Sequence, residues 1–436
     1  MQTIWCTLAV AAVAGAATVA PDGWTTGAPR QEISPRFEYD ARGGPDGAGA
    51  LVIAADGRAG LDGYWRREYP VTGGRWYRFR ALRRMENTPY PRRSGLAEVV
   101  WLEESGRRAP TDSVGSSQPD FPADGAADAR GWTDLSGAFR APRTATRAAV
   151  YLHLRWAPGA RAAWGAVSFA ETQAPAPRIV RLATVHFKPR GGKNPDDNRR
   201  MFAPLIADAA RQRADLVCLG ESLTMVGNGW SYVDAAEPIP GPSTRYFGEL
   251  AKQHNLYIVA GLLERDGHLV YNTAALLAPD GSLAGKYRKV VLPGGEVDAG
   301  IVPGDSYPVF ETRFGKLGIM ICYDVFFPEV SRQLAMRGAE VIAMPIWGGN
   351  ATLASARAID NQVYLVTSTY MDPADEWMRS GIFDHYGRLV ASAGTQGTVA
   401  VAEVDLARPA RWRWLGDFQP RIPRDRPVWA TGDPYR

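Results

Sequence analysis

The sequence predicts two domains in tandem, an all-β unit followed by an α/β unit. Three observations carry that expectation. The chain has 436 residues, more than one hydrophobic core ordinarily organises. Between residues 24 and 171, short runs alternate apolar or aromatic with polar residues and are broken by Gly and Pro turns, the pattern of half-buried strands. Past the Pro- and Ala-rich segment 171–177, buried-strand runs alternate with helical periodicity, which marks an α/β domain.

Composition bounds the function. Apolar residues make up 45% and charged residues 22%, as in a globular protein in water, and the net charge of +4 is small, with the arginines scattered. Nucleic acid is therefore not an expected partner. Residues 2–20 are uncharged and apolar, with small residues at Ala14, Ala16 and Ala17, so 1–20 reads as a secretory signal peptide and the protein as exported, periplasmic or secreted. The basic residue usual at the start of such signals is missing. Of three cysteines, Cys6 leaves with the signal, and Cys218 and Cys322 fall in strand-like runs. A disulfide framework is not expected. Five dispersed histidines and the lack of a C-x-x-C pair leave no metal-ligand spacing.

The first domain is placed at 22–171. Ala50-Leu51-Val52-Ile53-Ala54, Trp76-Tyr77-Arg78-Phe79-Arg80, Ala97-Glu98-Val99-Val100-Trp101-Leu102 and Ala149-Val150-Tyr151-Leu152-His153-Leu154 are strands of an expected jelly-roll-type sandwich. Residues 112–130, rich in Ser, Asp, Gly and Pro, read as a long loop. Gly131-Trp132-Thr133, Phe139-Arg140-Ala141-Pro142 and the strand after them resemble carbohydrate-binding-module-like jelly rolls. That resemblance implies a carbohydrate partner stacked on exposed Trp65, Trp132 or Trp164, although such residues more often fill a sandwich core or meet the neighbouring domain.

A linker at 172–177 leads to a second domain at 178–406. Its expected strands are 179–187, 216–219, 256–263, 271–278, 283–286, 317–321, 339–346, 363–368, 380–383, 389–392 and 398–404. Asn194-Pro195-Asp196-Asp197 starts a helix, with an Asn cap, a first-turn proline and acidic residues. Phe202, Leu205, Ile206, Ala209 and Ala210 mark its buried face, and Pro204 is expected to kink it. A further helix runs over 328–337 and stops at Gly338. The extension 407–436 has no periodicity.

The chemistry gathers at 315–329, where a buried run delivers Cys322 just before a helix start. Backbone N–H groups there are expected to favour a thiolate, although a lone strand cysteine is by default a small buried hydrophobe. Glu221 follows the run Cys218-Leu219-Gly220, Lys289 lies in Tyr287-Arg288-Lys289-Val290-Val291-Leu292, and Glu296 follows closely. Taken singly, each is an ordinary charged residue. In this order, with Gly318 four residues before Cys322-Tyr323-Asp324, they closely resemble the nitrilase (carbon–nitrogen hydrolase) superfamily over 177–406. Asn272-Thr273-Ala274, the segment 357–362 and Asp384-His385-Tyr386-Gly387 match as well.

The resemblance implies an α/β four-layer αββα sandwich and a catalytic set on Glu221, Lys289 and Cys322, with Glu296 in support. Glu221 would take the thiol proton and later activate water. Lys289 and the Tyr323 N–H would stabilise the oxyanion. No metal or organic cofactor is implied. Cys322-Tyr323-Asp324 with Phe327-Pro328-Glu329 is similar to the amidase and N-carbamoyl hydrolase branches, whereas nitrilases usually carry Cys-Trp-Glu. The expected substrate is thus a linear amide or carbamoyl compound, with Trp347 lining the pocket. Val366-Thr367-Ser368-Thr369-Tyr370 departs from the Ala-Asn ending of many members. The extension resembles arms that cross dimer interfaces, so a homodimer is expected. The alternatives are nitrile hydrolysis by the same triad, or a silent scaffold with a ligand-binding sandwich.

Overall fold

A computed structural model describes residues 21–375 and 377–427. Residues 1–20, where a signal peptide is expected, and the end of the extension, 428–436, lie outside the described residues. Among the described residues, no helix is long and apolar enough to cross a membrane. The chain divides into two compact units, the first running through Ala174 and the second beginning at Pro175, with pieces of 412–425 shared between them.

The first unit holds ten strands: β1 (Thr25–Gly27), β2 (Arg36–Asp40), β3 (Ala50–Ala54), β4 (Asp62–Pro70), β5 (Trp76–Glu86), β6 (Ala97–Leu102), β7 (Ala123–Ala127), β8 (Trp132–Arg140), β9 (Arg147–Arg155) and β10 (Arg161–Thr172), with one short helix, α1 (Pro91–Ser94). They form a four-stranded sheet in the order β1-β4-β9-β6 and a six-stranded sheet in the order β2-β3-β10-β5-β8-β7. Alternate residues of β5 (Tyr77, Phe79, Ala81) turn inward, as the period-2 pattern requires. They meet Trp65, Val99, Trp101 and Leu152 of the other sheet in one core.

Two expectations fail here. The loop placed at 112–130 contains β7, because Asp124 takes the buried Arg83 guanidinium at 2.7 Å and β7 pairs with β8. Only the lesser of the two alternatives for Trp65, Trp132 and Trp164 fails: they are not exposed platforms but fill the interior, 2%, 3% and 0% accessible. The Trp65 indole donates to the Val52 carbonyl at 3.0 Å, and Trp132 lies beneath the Arg84 guanidinium. Large aromatics fill the interior because they remove the most apolar area from water.

The second unit is a four-layer αββα sandwich. One sheet has the order β15-β14-β13-β12-β11-β22 and the other β16-β17-β18-β19-β20-β21. The first comprises β11 (Ile179–His186), β12 (Leu216–Cys218), β13 (Tyr257–Asp266), β14 (Leu269–Leu277), β15 (Leu283–Arg288) and β22 (Thr398–Asp405). The second comprises β16 (Val309–Glu311), β17 (Lys316–Ile319), β18 (Val341–Pro345), β19 (Tyr364–Ser368), β20 (Ser380–Phe383) and β21 (Leu389–Ala393). Successive residues of one strand serve opposite layers. Leu216 and Cys218 point between the sheets to meet Ile319, Ile342 and Val366. Val217 and Leu219 point outward onto Phe202, Ile206 and Phe247 of the helices. A strand buried on both faces therefore reads as an unbroken apolar run.

The outer helices are α2 (Pro195–Arg200), α3 (Ala203–Arg211) and α4 (Pro242–His254) on one side, with α6 (Pro328–Met336) and α7 (Ala351–Asn361) on the other; α5 (Gly294–Asp298) is a short turn between β15 and β16. Asn194 caps α2 by accepting from the Asp197 N–H at 2.9 Å. Pro204 does not kink a continuous helix as expected. The chain breaks at Met201–Phe202, and Pro204 sits in the first turn of α3, where its missing N–H costs nothing. Helix α4 was not foreseen, since Gly248 interrupts its apolar face. That glycine is needed because a Cβ there would come within 2.4 Å of the Gly281 carbonyl oxygen.

Candidate active site

The site lies beyond the carboxyl ends of the parallel strands β12, β17 and β18, where an α/β sheet leaves an open crevice. β12 ends at Cys218, and three residues on the chain presents Glu221. A Cβ on Gly220 would lie 2.4 Å from the Tyr370 hydroxyl, and that hydroxyl donates to the Glu221 carbonyl at 2.7 Å. Gly261 on β13 would meet the Glu221 Cα at 2.6 Å if it carried a side chain. The floor under Glu221 is therefore backbone packed on backbone.

β15 delivers Lys289. Its N–H donates to the Asn272 carbonyl of β14 at 2.8 Å, so Asn272 and Lys289 are cross-strand neighbours. The Lys289 ammonium is fully buried and donates to Glu221 Oε1 at 2.9 Å and Glu296 Oε1 at 2.6 Å. The Asn272 amide donates to the same two oxygens, at 2.8 and 3.1 Å. The other Glu221 oxygen, Oε2, accepts from the Trp347 N–H at 2.7 Å, just past β18.

β17 ends at Ile319, earlier than the sequence suggests, and Cys322 opens a 3₁₀ turn, Cys322–Phe326, that precedes α6. Cys322 has φ +45°, a left-handed conformation that costs an L-residue about 1–2 kcal/mol. Ser222, next to Glu221, is also left-handed at φ +47°. Asp324 secures the turn: its Oδ2 accepts from the Ile321 N–H and the Tyr287 hydroxyl, both at 2.8 Å, and its Oδ1 from the Val291 N–H at 3.1 Å. Because Tyr287 and Val291 flank Lys289, this one buried carboxylate ties the nucleophile turn to the lysine segment. Burial raises its pKa to about 6.

The half-buried Cys322 thiol faces a cavity of about 430 Å³ whose lining includes Glu221, Glu296, Tyr323 and Trp347. The structure thus gathers the expected Glu221, Lys289, Cys322 and Glu296 at one place, with Tyr323 and Trp347 on the wall. One expectation is reversed. Burial, followed by the charge of Glu221, pushes the thiol above its ordinary value, and Lys289 only partly opposes this. The thiol donates to the Gly348 carbonyl at 3.6 Å and shares its cavity with Glu221, the base the chemistry calls for. Burial would lower the Lys289 ammonium, but Glu221, Cys322 and Glu296 outweigh it and hold it charged. Burial raises Glu296.

Sequence reasoning matched Asn272 only as part of a segment and gave Tyr287, Tyr370 and the Trp347 N–H no part in the site. The only signal for Asn272 was an amide inside an otherwise apolar strand run, which demands a buried partner.

With this geometry in view, comparisons add independent findings. The carbon–nitrogen hydrolase family model matches residues 182–414. Omega-amidase NIT2 of Mus musculus is 34% identical over 256 residues, covering 53% of this chain and 91% of the mouse protein. Omega-amidase NIT2-A of Xenopus laevis is 35% identical over 250 residues, covering 52% of this chain and 87% of the frog protein. The crystal structure of Saccharomyces cerevisiae Nit3, a member of branch 10 of the nitrilase superfamily, is 26% identical and covers 52% of this chain and 90% of the yeast one, with a TM-score of 0.46.

Proposed function

Because this chain belongs to the carbon–nitrogen hydrolase family, we propose that it hydrolyses linear amides through a thioester on Cys322. Glu221 accepts the thiol proton as sulfur attacks the amide carbon. The tetrahedral oxyanion is held by the Lys289 ammonium and the Tyr323 N–H. Collapse breaks the C–N bond, with the proton passing to the departing nitrogen as ammonia or an amine. Water, deprotonated by Glu221, then cleaves the thioester to a carboxylic acid and restores the thiol. Glu296 supports the cycle by sharing the Lys289 ammonium.

The observation that carries this reading is the pair of bonds from Lys289 to Glu221 and Glu296 beside a cavity-facing thiol. The upward push of burial on the thiol agrees with it, since such a thiol calls for a base to take its proton. Intact mass after iodoacetamide, with ammonia release assayed on amide, carbamoyl and nitrile substrates, is the test. Alkylation confined to Cys322 and turnover lost by roughly 10⁴-fold or more in Cys322→Ala are expected. An unreactive Cys322 with no turnover on any substrate would leave a silent scaffold. Preference for the carbamoyl member would assign the N-carbamoyl branch.

Two further parts of the reading rest on sequence. Export rests on the apolar segment 2–20, and amino-terminal sequencing of the mature protein checks it. Homodimerisation rests on the extension 407–436, and a monomeric mass at micromolar concentration overturns it. The amino-terminal unit is read as a β-sandwich because two sheets share one core. Burial of its three candidate tryptophans removes the support for sugar stacking.

A further inference from the structure

The cavity is sharply divided in character. At one end stand the reacting groups, with two polar atoms that lack partners among the described residues: the Ser222 hydroxyl, on a residue 2% exposed, and Glu296 Oε2. Both residues line the cavity. They suit the polar –CO–NH₂ end of an amide. The remaining wall is Met225, Tyr232, Tyr323, Phe326, Trp347 and Trp377, with Pro293 and Gly348. Phe326 and Trp377 are 39% and 49% exposed, unusual for side chains this large and apolar.

Charge is as uneven. Among the described residues, no arginine, lysine or histidine lines the cavity, and the carboxylates there are Glu221 and Glu296. Lys289, the cation bonded to both, is fully buried. An anionic group at the far end of the substrate would meet aromatic faces, whose centres are electronegative, in the field of two carboxylates and with no cation among the described lining residues to pair it.

Resting on the amidase reading above, we infer that the acyl group this site accepts is uncharged and apolar, aromatic or branched aliphatic, and that amides of dicarboxylic acids are rejected. The amide end seats on Ser222 and the reacting groups; the hydrocarbon end covers Phe326 and Trp377. Trp377 is positioned for this from below. Its backbone carbonyl accepts from the Ala351 N–H at 3.0 Å at the start of α7, and Gly348 leaves room beneath its ring, where a Cβ would lie 3.2 Å from the indole.

The test uses a matched pair, 5-methylhexanamide and 5-amino-5-oxopentanoate, which share a shape and differ only in an isopropyl group against a carboxylate. 3-Phenylpropanamide serves as the aromatic member. With the full-length enzyme, kcat/KM for the two uncharged amides should exceed that for the anionic one by about 100-fold. Met225→Lys, which places a cation in the wall, should raise turnover of the anionic amide relative to the uncharged pair, and Trp377→Ala should raise KM for 3-phenylpropanamide more than it lowers kcat. Equal or better turnover of the anionic amide by the wild type would overturn the inference and leave the amidase reading intact. No hydrolysis of any of the three, with Cys322 unreactive to iodoacetamide, would overturn the amidase reading itself, and this inference with it.

Discussion

Adjacent residues of one segment, Arg288 and Lys289, enter two ion clusters of opposite composition. Arg288 joins Lys286 in holding the buried acid Glu264, which is 1% exposed, and also reaches the exposed Asp266 at 2.8 Å. Glu264 Oε2 also accepts from the Thr273 hydroxyl at 3.0 Å, so both its oxygens are satisfied. Lys289 is the inverse, one cation between two acids, and there Glu296 Oε2 and Asn272 Oδ1 lack partners among the described residues. The acid-rich cluster borders a cavity, while the cation-rich one sits on the sheet with its bonds complete. A saturated cluster fixes a register; an unsaturated one beside a thiol has capacity left for a proton or a substrate. The difference also shows in the carboxyl groups. At Glu264, burial opposes ionisation, but hydrogen bonds from Arg288 and Lys286 prevail and its pKa is lowered. At Glu296, burial prevails and its pKa is raised.

The contrast can be broken first at its centre. Lys289→Met should abolish turnover and cost about 3–5 kcal/mol of unfolding free energy, because it strands two buried carboxylates. Denaturant titration beside the ammonia assay measures both. If activity is lost with stability unchanged, the two carboxylates must share a proton instead. In the saturated cluster, Glu264→Gln should cost about 1–3 kcal/mol while kcat is kept, since Arg288 and Lys286 can turn to water. A large fall in kcat there would mean that the two clusters are coupled through the segment they share.

Acid separates them next. Glu264, lowered in the fold, contributes stability above the ordinary glutamate value, near 4.5, that disappears as pH falls through its folded value. Glu296, raised in the fold, costs stability as a carboxylate, and that cost is relieved as pH falls through its folded value towards 4.5. Unfolding midpoints against pH should therefore flatten below about 4.5 in Glu264→Gln and above it in Glu296→Gln. Matching changes in both variants would refute the opposed assignments. The smallest effect belongs to Tyr287→Phe, which removes one bond to Asp324 and should cost about 1 kcal/mol, with a modest fall in the alkylation rate of Cys322. An unchanged rate would show that the Ile321 and Val291 bonds suffice to hold the turn.

The second unit was legible for most of its strands, β16 excepted, because doubly buried strands such as 216–218 leave unbroken apolar runs and helix starts such as Asn194-Pro195 carry their own capping chemistry. The nucleophile turn and its acid were legible through motif order. Other features depend on partners distant in sequence. Ala123–Ala127 has no β-branched or aromatic residue and becomes a strand because β8 and the Arg83 guanidinium claim it. Period-2 alternation located strands such as 76–80 and 97–102, but it placed none at Trp65, Trp132 or Trp164 and could not say which face would be covered. The thiol's resting state also escaped the sequence: a helix start nearby argued for a thiolate, while the burial and the Glu221 charge that reverse the sign exist only once the chain has folded.

Glu221 and Lys289 hang from one sheet of the second unit and Cys322 from the other, with the mutual apolar layer of Leu216, Ile319 and Val366 between. Neither sheet alone holds a reactive arrangement. A chain refolding from denaturant can regain its strands while the reaction centre is still in halves, so the interval between recovered circular dichroism and recovered turnover times the docking of one sheet on the other.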